Sequence, residues 1–406
     1  MIFNKYKIEE LGTVFSGGTP STKNSEYWDG SVPWITPKDL SGYNSKYIGY
    51  GERNITEFGL KKSSATLIPQ GSVLMSSRAP IGYVAISNND VTTNQGFKSV
   101  CCNEKICLNE YMYYWIKNNL DYIKSKANGS TFKEISGSSF KNLEVSVPSI
   151  EEQKKIIKIL SLLDNKIETN YMLNNNLFSF LKTKFRKDFY IKDNNGVRLS
   201  ELIDYTIGGD WGKDELVGNY NTEVYCVRGA DIPNMEYGDK GNAPKRFVLE
   251  KNYINKKLES NDIIVEISGG SPTQSTGRTA YITQEILDMY NSPLLCTNFC
   301  RAIKLKKVLY APFAYMFFKL MYEDNEFFSW ENGTTGIKNF DLTNMIENVK
   351  VKLPANKDLE KFNELFNSIM KQISLNSKEI QLFIESRDTL LPALMNGEID
   401  LDKIEI

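Results

Sequence analysis

An internal repeat covers nearly the whole chain of 406 residues and limits the folds that the sequence can adopt. Short matches recur in the same order, and their spacing grows stepwise along the chain, as small loop insertions would produce. The matched pairs are Glu10-Leu11 with Glu201-Leu202, Gly17-Gly18 with Gly208-Gly209, Asp39-Leu40 with Asp231-Ile232, Thr93-Asn94 with Thr297-Asn298, Tyr111-Met112 with Tyr315-Met316, Asn128-Gly129 with Asn332-Gly333, and Val145, Val147 and Pro148 with Val351, Leu353 and Pro354. An ordered repeat of this length predicts two halves of similar structure.

Each copy begins with about 150 residues in which turn-forming residues separate short apolar runs. The runs at 31–35, 72–75 and 262–265 predict strands, and the segments 109–118 and 312–322 predict short helices. Strands and helices mixed in this way predict an α+β protein with two α/β domains.

Each copy ends in a long stretch with a heptad pattern of apolar residues, typical of a helix that packs on another helix. The predicted seam comprises Ile156, Leu160, Leu163, Ile167, Asn170, Asn174, Leu177 and Leu181 in the first copy, and Phe362, Phe366, Ile369, Ile373, Asn376, Ile380, Phe383 and Leu390 in the second, where Arg387 takes the remaining position. Pro148 and Pro354 precede the two helices, as expected at a strand end or a helix start.

A globular segment of about 160 residues separates the two helices, which excludes a hairpin with a short loop. We therefore expect an antiparallel two-helix coiled coil with a pseudo-two-fold relation between the copies and with Asn170 opposite Asn376. The alternative is that each helix packs only on its own domain. The predicted segments are a first globular domain at 1–148, a first helix at 149–195, a second domain at 196–354 and a second helix at 355–406.

Composition excludes several kinds of catalytic site. The chain has no histidine, so Ser-His and Cys-His nucleophile pairs are impossible. Its six cysteines fit neither a disulfide framework nor a usual zinc pattern, so we expect buried thiols and no metal or other cofactor. No phosphate-binding P-loop occurs, nor any Asn-Pro-Pro-aromatic or Asp-Pro-Pro-aromatic sequence. The spacing of Glu152 and Lys154 is that of some nucleases, but two charges on a solvated helix face explain it equally.

Several segments resemble the specificity subunits of type I restriction-modification systems, and together they span essentially the entire chain. The resemblance is carried by 11–21 (LGTVFSGGTPS), 27–36 (YWDGSVPWIT), 71–82 (GSVLMSSRAPIG), 148–156 (PSIEEQKKI) and 391–399 (LPALMNGEI). The second copy departs from the pattern at Gly208-Gly209-Asp210-Trp211, where the first has Gly-Gly-Thr-Pro. This departure fits a family in which the two recognition domains read different sequences.

The resemblance implies a non-catalytic protein with two target-recognition domains at opposite ends of a helical spacer. Each domain would read one part of a bipartite double-stranded DNA site. Two methyltransferase subunits would dock and methylate adenine at N6, and two translocase-nuclease subunits can join. We expect a cytoplasmic protein without a membrane segment. Net charge is −1, with +6 over residues 1–195 and −7 over 196–406. Local patches of positive charge or partner subunits must therefore provide the binding to DNA phosphates.

Candidate DNA contacts are polar loop side chains able to bond base edges or phosphates. In the first domain these are Thr19, Ser21, Thr22, Lys23, Ser76, Ser77, Arg78, Asn94, Gln95, Ser130 and Thr131, and in the second they are Lys213, Arg228, Gln274, Arg278, Thr334, Thr335 and Lys338. Each residue has an ordinary alternative as a solvated or capping side chain. For Trp28, Trp34, Trp211 and Trp330, packing is favoured over stacking on a base.

Two other functions stay open from sequence alone. The chain could be an enzyme that acts by itself, which Mg²⁺-dependent cleavage by the purified protein would reveal. It could also be a scaffold whose domains bind other proteins, and salt dependence separates that from DNA binding. Modification systems with a single combined enzyme use similar subunits, and the sequence does not separate them from type I partners.

Overall fold

The computed structural model describes residues 1–43, 45–129, 133–271, 273–333 and 338–403. The chain divides into two compact units, Met1–Glu168 with Leu382–Ile406, and Thr169–Gln381. We call them the first and the second unit. Each long helix is divided between them, and the four predicted segments remain a prediction.

The first unit holds ten strands and the first five helices of the described chain, and a sixth helix begins in it. In chain order the elements are β1 (Asn4–Lys7), α1 (Ile8–Leu11), β2 (Gly12–Ser16), β3 (Trp28–Ile35), β4 (Tyr47–Ile48), β5 (Arg53–Ile55), α2 (Glu57–Lys61), β6 (Val73–Ser77), β7 (Ile81–Ser87), β8 (Thr92–Thr93), β9 (Phe97–Cys102), α3 (Asn109–Asn118), α4 (Leu120–Ser125), α5 (Gly137–Lys141), β10 (Glu144–Val147) and α6 (Ile150–Asp188).

The second unit continues from α6 and ends within the last long helix. Its further elements are β11 (Lys192–Arg198), α7 (Leu199–Leu202), β12 (Ile203–Gly208), β13 (Tyr220–Val227), α8 (Ile232–Glu236), β14 (Lys245–Leu249), α9 (Glu250–Lys256), β15 (Ile263–Glu266), β16 (Ser268–Gly269), β17 (Thr279–Tyr281), α10 (Gln284–Leu287), β18 (Leu294–Cys296), β19 (Cys300–Leu305), α11 (Ala311–Glu323), β20 (Glu331–Asn332), β21 (Lys338–Phe340), α12 (Leu342–Asn348), β22 (Lys350–Val351) and α13 (Asn356–Met395).

Strand order confirms the repeat that the sequence predicts. The first unit has a sheet of order β2-β9-β6-β7-β4, and the second has β12-β19-β15-β17. In a smaller sheet of the first unit, β3 pairs antiparallel with β5 and parallel with β8. In the second unit β13 pairs in the same two ways with β14 and β18. The terminal ladders β1-β10 and β11-β22 also correspond. The predicted mixed α/β architecture with two similar domains is therefore confirmed.

The predicted helices and strands lie close to their observed bounds. Helix α3 coincides with the prediction, and α11 extends it by one residue at each end. Helix α6 begins with a capping box, in which Glu152 N donates to Ser149 Oγ at 3.3 Å and Ser149 N donates to Glu152 Oε2 at 3.0 Å. Lys154 pairs with Glu151 at 2.9 Å. The Glu-x-Lys spacing at this helix start thus has a structural explanation.

The long helices run antiparallel within the second unit, but one predicted contact is wrong. Asn376 Nδ2 donates to Asn174 Oδ1 at 2.8 Å, whereas Asn170 Nδ2 donates to Glu379 Oε2 at 3.0 Å. The partner of Asn376 thus lies one helical turn further along α6 than predicted. Asn174 also donates to Ile373 O at 3.2 Å and to Ser377 Oγ at 3.1 Å. These bonds satisfy an amide that is only 1% exposed.

Most of the predicted seam is buried, and four of its members are only half-buried. The half-buried ones are Leu163, Leu177, Phe383 and Leu390. Beyond Asn174 the buried positions of α6 are Phe178, Leu181 and Phe185, which join the core of the second unit. Phe185 meets Phe362 there at 5.3 Å between ring centroids. The buried stripe of α6 thus runs through Phe178 instead of Leu177 and rejoins the predicted seam at Leu181.

Each unit also contains an ion pair with one buried charged group, and the sign of the buried charge differs between the units. In the first unit Lys46, 6% exposed, pairs with Glu110 on α3 and donates to Ser161 Oγ on α6 at 3.0 Å. In the second unit Glu236, 7% exposed, pairs with Lys319 on α11 at 2.7 Å.

Candidate nucleic-acid interface

Three of the predicted loops of the first unit meet at the end of its larger sheet. Strand β2 leads into Gly17 and Gly18, and Gly18 N donates to Thr93 O at 2.9 Å. A Cβ on Gly17 would lie 1.9 Å from Asn94 O, so only glycine permits this approach. The turn brings Thr19 to Gln95, with Thr19 Oγ1 donating to the Gln95 amide oxygen.

Ser21, Thr22 and Lys23 follow that turn with exposed side chains. Their loop is anchored to the core through its backbone, because Trp28 Nε1 donates to Ser21 O at 3.1 Å. Trp28 and Trp34 are buried and pack edge to face, as expected for packing tryptophans. Asn94 Oδ1 accepts a bond from Gly96 N at 2.9 Å, so this amide shapes its own turn.

The structure corrects the expected placement of Ser76 and Ser77. Both are the last residues of β6 rather than loop residues, and both are fully buried. Ser76 Oγ donates to Pro80 O at 2.7 Å and accepts from Tyr83 N at 2.9 Å. The chain beyond β6 turns back sharply, and Ser76 satisfies its backbone groups. A DNA contact by either hydroxyl would require this packing to open.

Arg78 lies at the same end of the sheet, beside two residues that the sequence motifs did not indicate. Its Nη1 is 3.4 Å from Glu134 Oε2. Lys98 on β9 is 7% exposed, and burial lowers the pKa of its amine, while the Glu134 carboxylate opposes that shift. The corresponding rung of the second unit pairs Val265 with Arg301, as Met75 pairs with Lys98. A cation at this rung in both copies is a signal that the repeat alignment could have supplied.

In the second unit, two of the predicted arginines are held rigidly by carboxylates. Arg278 binds Glu266 through Nε and Nη2, at 2.9 and 2.6 Å, and these bonds raise the pKa of the guanidinium. Arg228 binds Asp231 through the same two atoms at 3.0 Å each, and its pKa is raised by this hydrogen bonding. A Cβ on Gly229 would lie 3.2 Å from Arg278 Nη2, which places the two arginine sites side by side.

The other candidates of the second unit vary in exposure. Gln274 is exposed, and its Nε2 donates to Tyr322 OH at 3.2 Å. Lys338 is half-buried and pairs with Glu331 at 2.7 Å. Lys213 is exposed, with its Nζ 5.7 Å from the centroid of Tyr220. Ser130, Thr131, Thr334 and Thr335 lie outside the described residues.

The repeated aspartates organise the loops behind these side chains. Asp39 Oδ2 accepts from Thr36 N, and its Oδ1 accepts from Glu52 N, both at 2.7 Å. Asp231 Oδ2 accepts from Arg228 N at 2.9 Å, and its Oδ1 accepts from Asn242 N at 3.0 Å. In each unit one carboxylate therefore clamps two loop segments together, which explains why Asp recurs at these places.

Within the described ranges, no group of three or more His, Cys, Asp or Glu is arranged to hold a metal ion. The part of the chain that the structure describes also contains no helix that is both long enough and apolar enough to cross a membrane. All six cysteines are free thiols. Cys101 is half-buried, and the other five are buried.

The sequence matches the family described as type I restriction modification DNA specificity domain twice, at residues 3–178 and 191–382. The specificity subunit of the type I restriction enzyme MjaIX from Methanocaldococcus jannaschii is 32% identical over 424 aligned residues, covering 98% of this chain and 94% of that protein. The specificity subunit of EcoR124I/EcoR124II from Escherichia coli is 33% identical over 164 residues, covering 39% and 40%.

Among solved structures, the S subunit of a type I restriction-modification system from M. genitalium shares the fold. Its crystal structure matches with a TM-score of 0.55 at 16% identity, covering 97% of this chain and 96% of that one. The chain therefore belongs to the family of type I restriction-modification DNA specificity subunits, whose part in such a system is to recognise the DNA target rather than to catalyse a reaction.

Proposed function

We propose that this chain recognises a bipartite DNA sequence, each unit reading one part of it. The observation that carries the proposal is the repeated topology, with one cluster of polar loops in each unit. Two recognition domains that share a topology but differ in their loop residues suit a target made of two different half-sites. The departure of Asp210-Trp211 from Thr19-Pro20 after the paired glycines supports different half-site sequences.

The proposed partners are two methyltransferase subunits, which methylate adenine at N6, and two translocase-nuclease subunits, which restrict unmodified DNA. The distribution of charge supports a need for such partners. Four of the predicted DNA-contacting cations are paired with carboxylates: Arg78, Arg228, Arg278 and Lys338. With a net charge of −1, the chain alone should bind DNA weakly, because few phosphates can be neutralised. Partner subunits would then supply most of the affinity.

Methylation mapping tests the proposal directly. The chain is expressed with its methyltransferase subunit in cells that lack other adenine methylation, and N6-methyladenine is mapped across the genome. We expect methylation at a split, asymmetric motif in cells that contain the chain, and none in cells that contain only the methyltransferase. Methylation that is unchanged without the chain, or methylation by the assembled complex that follows no split motif, would overturn the proposal.

A further inference from the structure

The guanidinium group of Arg53 stacks on a buried tryptophan. Its Cζ lies 3.8 Å from the ring centroid of Trp28, which is 5% exposed. Strand β5 places Arg53 opposite Trp34, whose ring packs edge-on against Trp28 with centroids 4.9 Å apart. A cation held over a rigid aromatic face keeps the plane of its guanidinium fixed. Little side-chain entropy then remains to be lost when the group binds an external acceptor.

Arg53 is exposed, and within the described ranges no carboxylate pairs with it. The neighbouring Glu52 carboxylate is occupied by Lys38 Nζ at 2.6 Å. Arg53 therefore presents N–H donors of its guanidinium to the solvent. In this it differs from the four cations of the predicted loops that are neutralised inside their own units.

In the second unit, a stacked arginine binds groups of its own unit instead of facing the solvent. Arg246 Cζ lies 4.2 Å from the ring centroid of Trp211, but Arg246 is buried and forms an ion pair with Asp214. Its Nε also donates to Trp211 O at 2.8 Å. That guanidinium is used to hold its own loop, whereas the one in the first unit is left facing outward.

Arg53 also lies beside the predicted reading loop, because the indole that carries it donates to Ser21 O at 3.1 Å. We propose that Arg53 reads a guanine in the half-site of the first unit, donating two hydrogen bonds to O6 and N7. A fixed guanidinium fork matches this pair of acceptors, and arginine with guanine is the commonest specific base contact. The inference rests on the proposed function and adds a residue outside the motifs that indicated the other candidates.

The test compares Arg53→Ala, Arg53→Lys and the wild type, each co-expressed with the methyltransferase subunit, by genome-wide mapping of N6-methyladenine. Lysine keeps the charge but loses the fork, so it separates base reading from phosphate binding. Lys61→Ala is the matched control, because Lys61 is an exposed cation of the same unit that pairs with Glu57 at 3.7 Å. Thermal unfolding of each purified protein verifies folding.

We expect both Arg53 variants to lose specificity at one G·C position in one half of the motif. The preference for G·C over other base pairs there should fall roughly 5- to 150-fold, the range for a bidentate contact. The other half and the Lys61→Ala motif should stay unchanged. An unaltered motif in both variants would overturn the inference. A uniform loss of methylation at every site, in both variants or in Arg53→Ala alone, would also overturn it, because such a loss indicates a contact without base specificity. A wild type that gives no split motif would instead overturn the proposed function, so the two failures are distinguishable.

Discussion

At the scale of single residues, the ion pairs Lys46–Glu110 and Glu236–Lys319 each contain one buried charged group, a lysine in the first unit and a glutamate in the second. Lys46 also donates to Tyr114 OH at 3.3 Å, and Tyr114 OH donates to Asp164 Oδ2 at 2.6 Å. Loss of one partner from such a network leaves the other charge without compensation, and the cost grows with the burial of that charge.

Replacement of Lys46 by methionine should therefore lower the free energy of unfolding by about 1–3 kcal/mol, because the Glu110 carboxylate left behind is 35% exposed and is partly solvated by water. The double variant Lys46→Met with Glu110→Gln should recover part of that loss. Lys38→Met is the control, since the Lys38–Glu52 pair is 77% and 66% exposed and should contribute less than about 1 kcal/mol. Equal effects of the two single substitutions in chemical denaturation would contradict this account.

The ion pair of Asp324 with Arg186 predicts a dependence of stability on pH. Hydrogen bonds from Arg186 lower the pKa of the Asp324 carboxyl below its usual value. Since the folded-state pKa lies below that of the unfolded chain, the stabilisation is complete above the unfolded pKa and is lost as pH falls through the folded one. Asp324→Asn should thus destabilise the protein near pH 7, by less than about 1 kcal/mol for so exposed a pair, and much less at about pH 3. A difference that stays constant across this range, in urea unfolding, would contradict the assignment.

At the scale of elements, the long helices are fixed in register by polar contacts rather than by apolar bulk alone. Asn376 with Asn174 and Asn170 with Glu379 are specific pairs, whereas slipped leucines or phenylalanines can repack. The helices contain 39 and 40 residues, or about 60 Å each at 1.5 Å per residue. We propose that this length sets the number of base pairs between the two half-sites.

An insertion of one heptad in both helices tests that proposal. The insertion points are after Glu168 and after Gln381, where the two units divide the helices. Seven residues add about 10 Å, which corresponds to about 3 bp of DNA. We expect the methylated motif to keep both half-sites and to gain about 3 bp between them. A heptad inserted in α6 alone serves as the control for disrupted pairing, and an unchanged spacer in the double insertion would contradict the proposal.

At the scale of the whole molecule, the repeat was the part of the fold that sequence could predict. It indicated two similar halves because matched residues such as Asp39 and Asp231 perform the same loop clamping in each. The heptads located the helices but not the partner of Asn376, since a heptad pattern fixes a face and not an axial register. The observed register is marked by the polar pairs Asn376–Asn174 and Asn170–Glu379, which depend on the folded packing of the second unit.

The candidate interface was less predictable. Sequence placed Ser76 and Ser77 in a loop, but strand pairing and the turn beyond β6 bury them. It also left out Lys98 and Arg53, because a cation within a strand gives no local sign of where its side chain points. The ion pairs of Arg228 and Arg278 depend on loops that fold together, and neither spacing nor composition shows them.

Substitutions confined to one unit, combined with methylation mapping, show whether each unit reads its own half of one DNA target. One variant carries Thr19→Ala, Lys23→Ala and Gln95→Ala, and a second carries Lys213→Ala and Gln274→Ala, all on side chains that are not fully buried. We predict that the first variant alters only one half of the methylated motif and the second alters only the other half. If either variant altered both halves, or if neither altered any position in assembled and active complexes, the account would be contradicted.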